Sequence, residues 1–253
     1  MLVPWMIATL IYALYWLAEG GIDRITQICN KPQNGFLLIT NSWFVIAIAV
    51  FYLIFYFSFN WCKGNYHWGI RRTIIGVCLY IVFAYLIGLG GWWFYSSFAF
   101  IVGMIWKENE TKINQIIKKH YLMFVSGWVC VLCLGQLIRM LNSKTIHSII
   151  LYDIAFLIAS AAFVGIVFSF FKKITIKSKL WNFLGSISFE VYLLHELVYN
   201  VLRNETLGIY INYDFLYVAL VIIITVCFAY IFNIIVTKRI VKHVLMSNRN
   251  SSI

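Results

Sequence analysis

The chain has 253 residues, 62% of them hydrophobic and only 11% charged, with a net charge of +11 and a mean hydropathy of +0.86. So large an apolar fraction lies far outside the soluble globular range and places the chain among polytopic membrane proteins. The basic residues are spread over short loops and not gathered on one face, which argues against nucleic-acid binding.

Cutting the chain at charged and Gly/Asn-rich breaks leaves eight hydrophobic runs, at about 2–18, 37–59, 72–88, 91–106, 121–138, 148–171, 187–202 and 215–236. A spanning helix needs roughly 20 residues. In lipid the backbone must satisfy its own hydrogen bonds, so these runs are predicted helices. The first opens abruptly at Met1-Leu2-Val3-Pro4-Trp5 and meets no basic residue before Arg24, unlike the charged start of a signal peptide. The second opens on Asn41-Ser42-Trp43-Phe44. The third and fourth are short and meet in a tight turn at Gly88, Gly90 and Gly91. The fifth carries Cys130 and Cys133, the sixth has Asp153 early, and the seventh has a polar stripe. No soluble domain, repeat or low-complexity tract interrupts them, so 1–253 reads as a single transmembrane domain.

Orientation follows from Lys and Arg, which concentrate in cytoplasmic loops. With the N-terminus inside, the inner loops take Lys63, Arg71, Arg72, Lys107, Lys112, Lys118, Lys119, Lys172, Lys173, Lys177, Lys179, Lys238, Arg239, Lys242 and Arg249. The outer loops take only Arg24, Lys31, Arg139, Lys144 and Arg203. The imbalance predicts an all-α protein of about eight membrane helices with both termini cytoplasmic. It also requires the short third and fourth runs to count separately. Cys130 and Cys133 have CxxC spacing but no second pair and no nearby His, so no metal site is expected.

The stretch Ser188 to Tyr199, SFEVYLLHELVY, is the most informative. At about 100° per residue, Ser188, Tyr192, His195 and Tyr199 fall within roughly 60° of one another. Ionisable groups at membrane depth are costly and usually face a bundle interior, so this stripe is expected to point inward. An imidazole suits general acid–base work, which makes His195 a catalytic candidate; a histidine bridging two helices is the alternative. Tyr192 and Ser188 would bond it or line a substrate path, or else join helices. Glu190 lies on the opposite side and is expected to snorkel or to meet a lysine such as Lys179. Asp153 is expected near Arg139 or Lys144.

The segment Leu184-Gly185-Ser186-Ile187-Ser188-Phe189-Glu190-Val191-Tyr192-Leu193-Leu194-His195 resembles the late-helix motif of the acyltransferase-3 family. Asn41-Ser42-Trp43-Phe44 resembles that family's Ser/Leu-Trp-Phe-Leu element. Phe100-Ile101-Val102-Gly103-Met104 resembles its Phe-x-x-Gly-Met element, which precedes a basic inner loop. Order and spacing agree, and the resemblance covers essentially the whole chain. It implies an integral membrane enzyme of the bacterial cytoplasmic (inner) membrane. Such an enzyme moves an acyl group, commonly acetyl, from cytosolic acyl-CoA to a hydroxyl of a surface or exported glycan. Acyl-CoA is a substrate there, and no bound cofactor is implied. The family's first helix carries an Arg and, a few turns on, a His implicated in catalysis. No run here matches it, and Pro4 resembles a family Pro that follows the second helix. The resemblance therefore implies an N-terminally shortened member, for which a separately encoded N-terminal helix pair is an expected partner.

The resemblance places His195, Tyr192 and Ser188 as catalytic candidates. Trp43 and Tyr199 are candidates for the acceptor, Trp43 by stacking on a sugar or, alternatively, as an interfacial anchor. Arg71 and Arg72 could take coenzyme A phosphates or merely mark the inner face. A glycan, lipid or small-solute transporter is the other reading. It would call for pseudo-symmetric halves with matching broken helices, and only 88–91 is broken in this way. An inactive acyltransferase fragment is the third.

Overall fold

A computed structural model describes residues 1–31, 37–62, 65–141, 146–174 and 177–240. Of the basic residues used above, Lys63, Lys144, Lys242 and Arg249 lie outside the described residues. Among the described residues there are eight α-helices: α1 Leu2–Cys29, α2 Trp43–Asn60, α3 Tyr66–Leu86, α4 Ser97–Glu108, α5 Glu110–Leu141, α6 Ile146–Lys173, α7 Lys179–Val201 and α8 Asp214–Phe232. Six of the described helical segments are long and apolar enough to cross a bilayer. The protein is an all-α, multi-pass membrane protein.

Several boundaries differ from the sequence reading, each for a local reason. The first helix runs on to Cys29, broken at Gly20 and Gly21, where Gly21 has φ 69°; a residue with a Cβ adopts such a backbone rarely. The fourth run yields only the twelve-residue α4, about 18 Å at 1.5 Å per residue, which is less than a hydrocarbon core of roughly 30 Å. After the turn at Gly88 (φ 75°), a short 3-10 helix at Gly91–Trp93 takes up the start of that run. The loop expected before the fifth run is helical from Glu110, with a kink at His120 (φ −134°, ψ 46°). The helix α8 passes directly into a π-helical segment, Asn233–Ile240.

The chain forms two compact units, Met1–Ile46 with Lys177–Ile253, and Ala47–Ile176. In lipid, helices gain little from apolar burial and associate through close packing and interhelical hydrogen bonds; both units show this. In the first, Ala8, Tyr12 and Trp16 of α1 pack on Leu193, Leu194 and Leu197 of α7, with Phe232 and Val236 beyond. The Tyr12 hydroxyl donates to the Leu193 carbonyl at 3.1 Å. The α7–α8 connection is a short hairpin with two residues in each strand, Arg203–Asn204 against Ile209–Tyr210. The Asn204 amide donates to the Tyr15 hydroxyl at 2.7 Å, which ties the hairpin to α1.

In the second unit α5 and α6 approach through small residues: a Cβ on Gly135 would lie 3.1 Å from the Ala155 carbonyl and 3.2 Å from the Ala159 methyl. Gly165 similarly accommodates the Trp128 ring, 2.5 Å from where its Cβ would be. Among the described residues Asp153 forms no ion pair with Arg139. It accepts a hydrogen bond from Tyr95 at 2.7 Å, while Tyr95 stacks on Phe156 at 4.2 Å. Arg139 instead lies over the Phe156 ring. Lys144, the other expected partner, is outside the described residues.

Candidate functional site

The packing of α7 reverses one expectation. Its buried residues are Ile187, Glu190, Leu193, Leu194, Leu197 and Val198. On a helical wheel the Ser188–Tyr192–His195–Tyr199 stripe is roughly 150° from the centre of that face. The stripe is one face, as the spacing predicts, but it is not the face that packs against α1. Ser188 is exposed and its hydroxyl turns back to the Gly185 carbonyl at 3.0 Å. Tyr199 is also exposed; its ring lies 5.4 Å from that of Tyr217, and its carbonyl accepts the Tyr217 hydroxyl. Their bonds run to these groups and not to the imidazole. Periodicity shows which residues share a face and not which face a neighbour covers.

Tyr192 and His195 are half-buried because the turn before α2 covers them. That turn is held from two sides. Trp16 of α1 donates its indole N–H to the Leu38 carbonyl at 3.1 Å, and Ser42, fully buried, donates to the Ile39 carbonyl at 2.9 Å. The Tyr192 hydroxyl then donates to the Asn41 carbonyl, with its ring 5.3 Å from that of Phe44.

His195 Nδ1 lies 2.7 Å from the Tyr192 carbonyl oxygen. A carbonyl can only accept, so Nδ1 carries the proton in this arrangement. The lone pair of neutral imidazole is then on Nε2, which faces the Asn41 side-chain amide nitrogen at 3.4 Å. That contact is long for a hydrogen bond. Nε2 is thus oriented and only weakly engaged, which is the condition of a nitrogen able to take a proton from a hydroxyl. Asn41 stands in the Asn41-Ser42-Trp43-Phe44 element, where no local pattern points its side chain at His195; the turn geometry brings it there.

Glu190 corrects a second expectation. It neither snorkels nor meets Lys179: it is 2% exposed, and its Oε1 accepts from Asn233 Nδ2 at 2.7 Å and from the Thr237 hydroxyl at 2.7 Å. Asn233 begins the π-helical segment, and Thr237, four residues on, lies on the same helical face, so both donors reach one carboxyl oxygen.

Trp43 is half-buried, its ring 6.0 Å from that of Phe44. Arg71 and Arg72 belong to the second unit. Both are exposed, with Arg71 over the Trp68 ring at 5.7 Å. Arg72 donates to the Trp61 carbonyl at 3.3 Å and lines a pocket of about 280 Å³ with Trp61, Cys62 and Trp68.

The helices, the covered histidine and the buried acid define a multi-pass membrane protein with titratable groups built into its helix packing. The sequence model of the acyltransferase-3 family, an acyltransferase domain, matches residues 1–234, and the chain belongs to that family. The match takes in Asn41, Trp43, Glu190, Tyr192, His195 and Asn233. No curated protein and no solved structure matches the chain.

Proposed function

We propose that this protein transfers an acyl group, commonly acetyl, from cytosolic acyl-CoA to a hydroxyl of a surface or exported glycan in a bacterial inner membrane. Membership of an acyltransferase family supports the reaction type. The observation that carries the site assignment is His195 Nδ1 at 2.7 Å from the Tyr192 carbonyl oxygen, which puts the lone pair of the neutral imidazole on Nε2, engaged only by the 3.4 Å Asn41 contact.

In this reading an acceptor hydroxyl approaches Nε2, which takes its proton as the oxygen attacks the thioester carbonyl. The tetrahedral oxyanion collapses, the carbon–sulfur bond breaks, and the imidazolium returns the proton to the departing CoA sulfur, leaving an ester. The Tyr192 carbonyl, still accepting from Nδ1–H, stabilises the imidazolium through a hydrogen bond to a charged donor. Trp43, beside the same turn, suits stacking on a sugar ring. Arg71 and Arg72 suit coenzyme A phosphates, and the positive-inside count supports their cytoplasmic placement. Ser188 and Tyr199, exposed on the same stripe, are left for substrate contact.

Membranes carrying the protein, supplied with labelled acetyl-CoA and glycan from the host envelope, test this. His195→Ala should lower transfer by about 10²-fold or more at unchanged protein level. Wild-type turnover by the variant would make His195 structural and remove the site assignment.

A further inference from the structure

The second unit holds a pocket of about 310 Å³ where the basic ends of α4, α5 and α6 meet. Its apolar side is formed by Gly103, Trp106, Phe168 and Phe171. Across from them stand Lys107 and Lys172, with Glu110 between: its carboxylate accepts from Lys107 at 2.7 Å and from Lys172 at 2.8 Å. Two ammonium groups are thus held side by side with one carboxylate, leaving a net positive charge. The Glu110 hydrogen bond and charge raise the Lys107 ammonium above its ordinary value. Close by, Lys173 stands over the Tyr121 ring at 4.4 Å. Gly103 opens the pocket to the helix backbone, since a Cβ there would meet no atom within 4 Å. Phe168 and Phe171 remain exposed, so the apolar side continues onto the outer surface of α6.

We propose that this pocket binds the headgroup of an acidic phospholipid. The phosphate lies against Lys107 and Lys172, and the glycerol and upper acyl chain lie over Trp106, Phe168 and Phe171. The occupant is argued from the amphiphilic lining and its charge. A net cationic edge beside exposed aromatic rings, at a helix end rich in lysine, matches a ligand that is anionic at one end and apolar at the other. Basic pockets between helices on the cytoplasmic side favour anionic headgroups for this reason. The volume, at the low end of the roughly 300–1,000 Å³ of small-molecule sites, suits a headgroup better than a whole acyl-CoA. The site also accounts for Gly103, which the sequence reading picked out and the acyl-transfer reading leaves unused. It does not depend on acyl transfer, and His195→Ala should leave it intact.

The test is native mass spectrometry of protein released from bilayer discs of phosphatidylcholine, with and without phosphatidylglycerol. The wild type should retain one phosphatidylglycerol and no phosphatidylcholine. Lys107→Gln with Lys172→Gln should lower that retention about 10-fold or more, and Gly103→Leu, which fills the pocket, should do the same. An unfolding midpoint measured in neutral detergent identifies any variant that fails to fold; if Gly103→Leu does, the charge variant decides alone. Equal phosphatidylglycerol retention by wild type and charge variant would overturn the proposal.

Discussion

Replacing Glu190 tests whether the buried acid joins α7 to the π-helical segment as an acceptor or as a charge. Its side chain is 2% exposed, so its partners have little access to bulk solvent. In Glu190→Ala, Asn233 Nδ2 keeps only a 3.4 Å contact to the Ser186 carbonyl, and the Thr237 hydroxyl loses its 2.7 Å bond to the carboxylate. An orphaned buried donor costs about 1–3 kcal/mol in soluble proteins. In membranes an interhelical hydrogen bond contributes less, about 0.6 and at most about 1.7 kcal/mol, because separated helices still find partners in lipid. Two bonds of that kind give a loss of about 1–3 kcal/mol for Glu190→Ala. Glu190→Gln keeps an oxygen at the same place and should cost less than about 1 kcal/mol. Reversible unfolding in mixed micelles, followed by helical signal against denaturing-detergent fraction, measures both. If Gln is as damaging as Ala, the carboxylate charge matters and the acceptor account fails. If Ala costs nothing, the cluster does not hold the helices together.

Asn41→Leu should lower acyl transfer by roughly 10-fold while the Tyr192–Asn41 backbone bond survives, since only the amide facing Nε2 is lost; an unchanged rate would show that Asn41 does not position the imidazole. Tyr12→Phe, which removes one buried hydroxyl, should cost about 0.5–1.5 kcal/mol in the same unfolding assay. Gly165→Ala places a methyl on the Trp128 ring and should cost about 1–3 kcal/mol, and a neutral outcome would mean that α5 and α6 pack differently. Reporter fusions after Lys31, Lys144 and Arg203 should read outside, and those after Arg72, Lys112, Lys177 and Lys242 inside; an outside signal at Lys112 would rule out the proposed orientation.

Hydrophobic run length was enough to read the all-helical membrane class, because lipid leaves the backbone no other way to satisfy its polar groups; of the eight membrane helices expected, six described segments are long and apolar enough to span. The same sequence put Ser188, Tyr192, His195 and Tyr199 on one helical face, since a period of 3.6 is a property of the helix alone. What lies against that face is a property of the neighbours. Leu193, Leu194 and Leu197 pack on α1, so the polar stripe turns away from it, and the Asn41 turn, anchored by Trp16 and Tyr192, lies against His195. The proton position on that imidazole follows from a carbonyl one helical turn away and an amide more than 150 residues earlier in the chain. Glu190 read as a boundary carboxylate because its partners, Asn233 and Thr237, are some 40 residues further along, on a stretch whose π-helical turn no local pattern announces. Local periodicity decides which groups travel together; tertiary packing decides which of them become neighbours, and the chemistry at His195 and Glu190 depends on those neighbours.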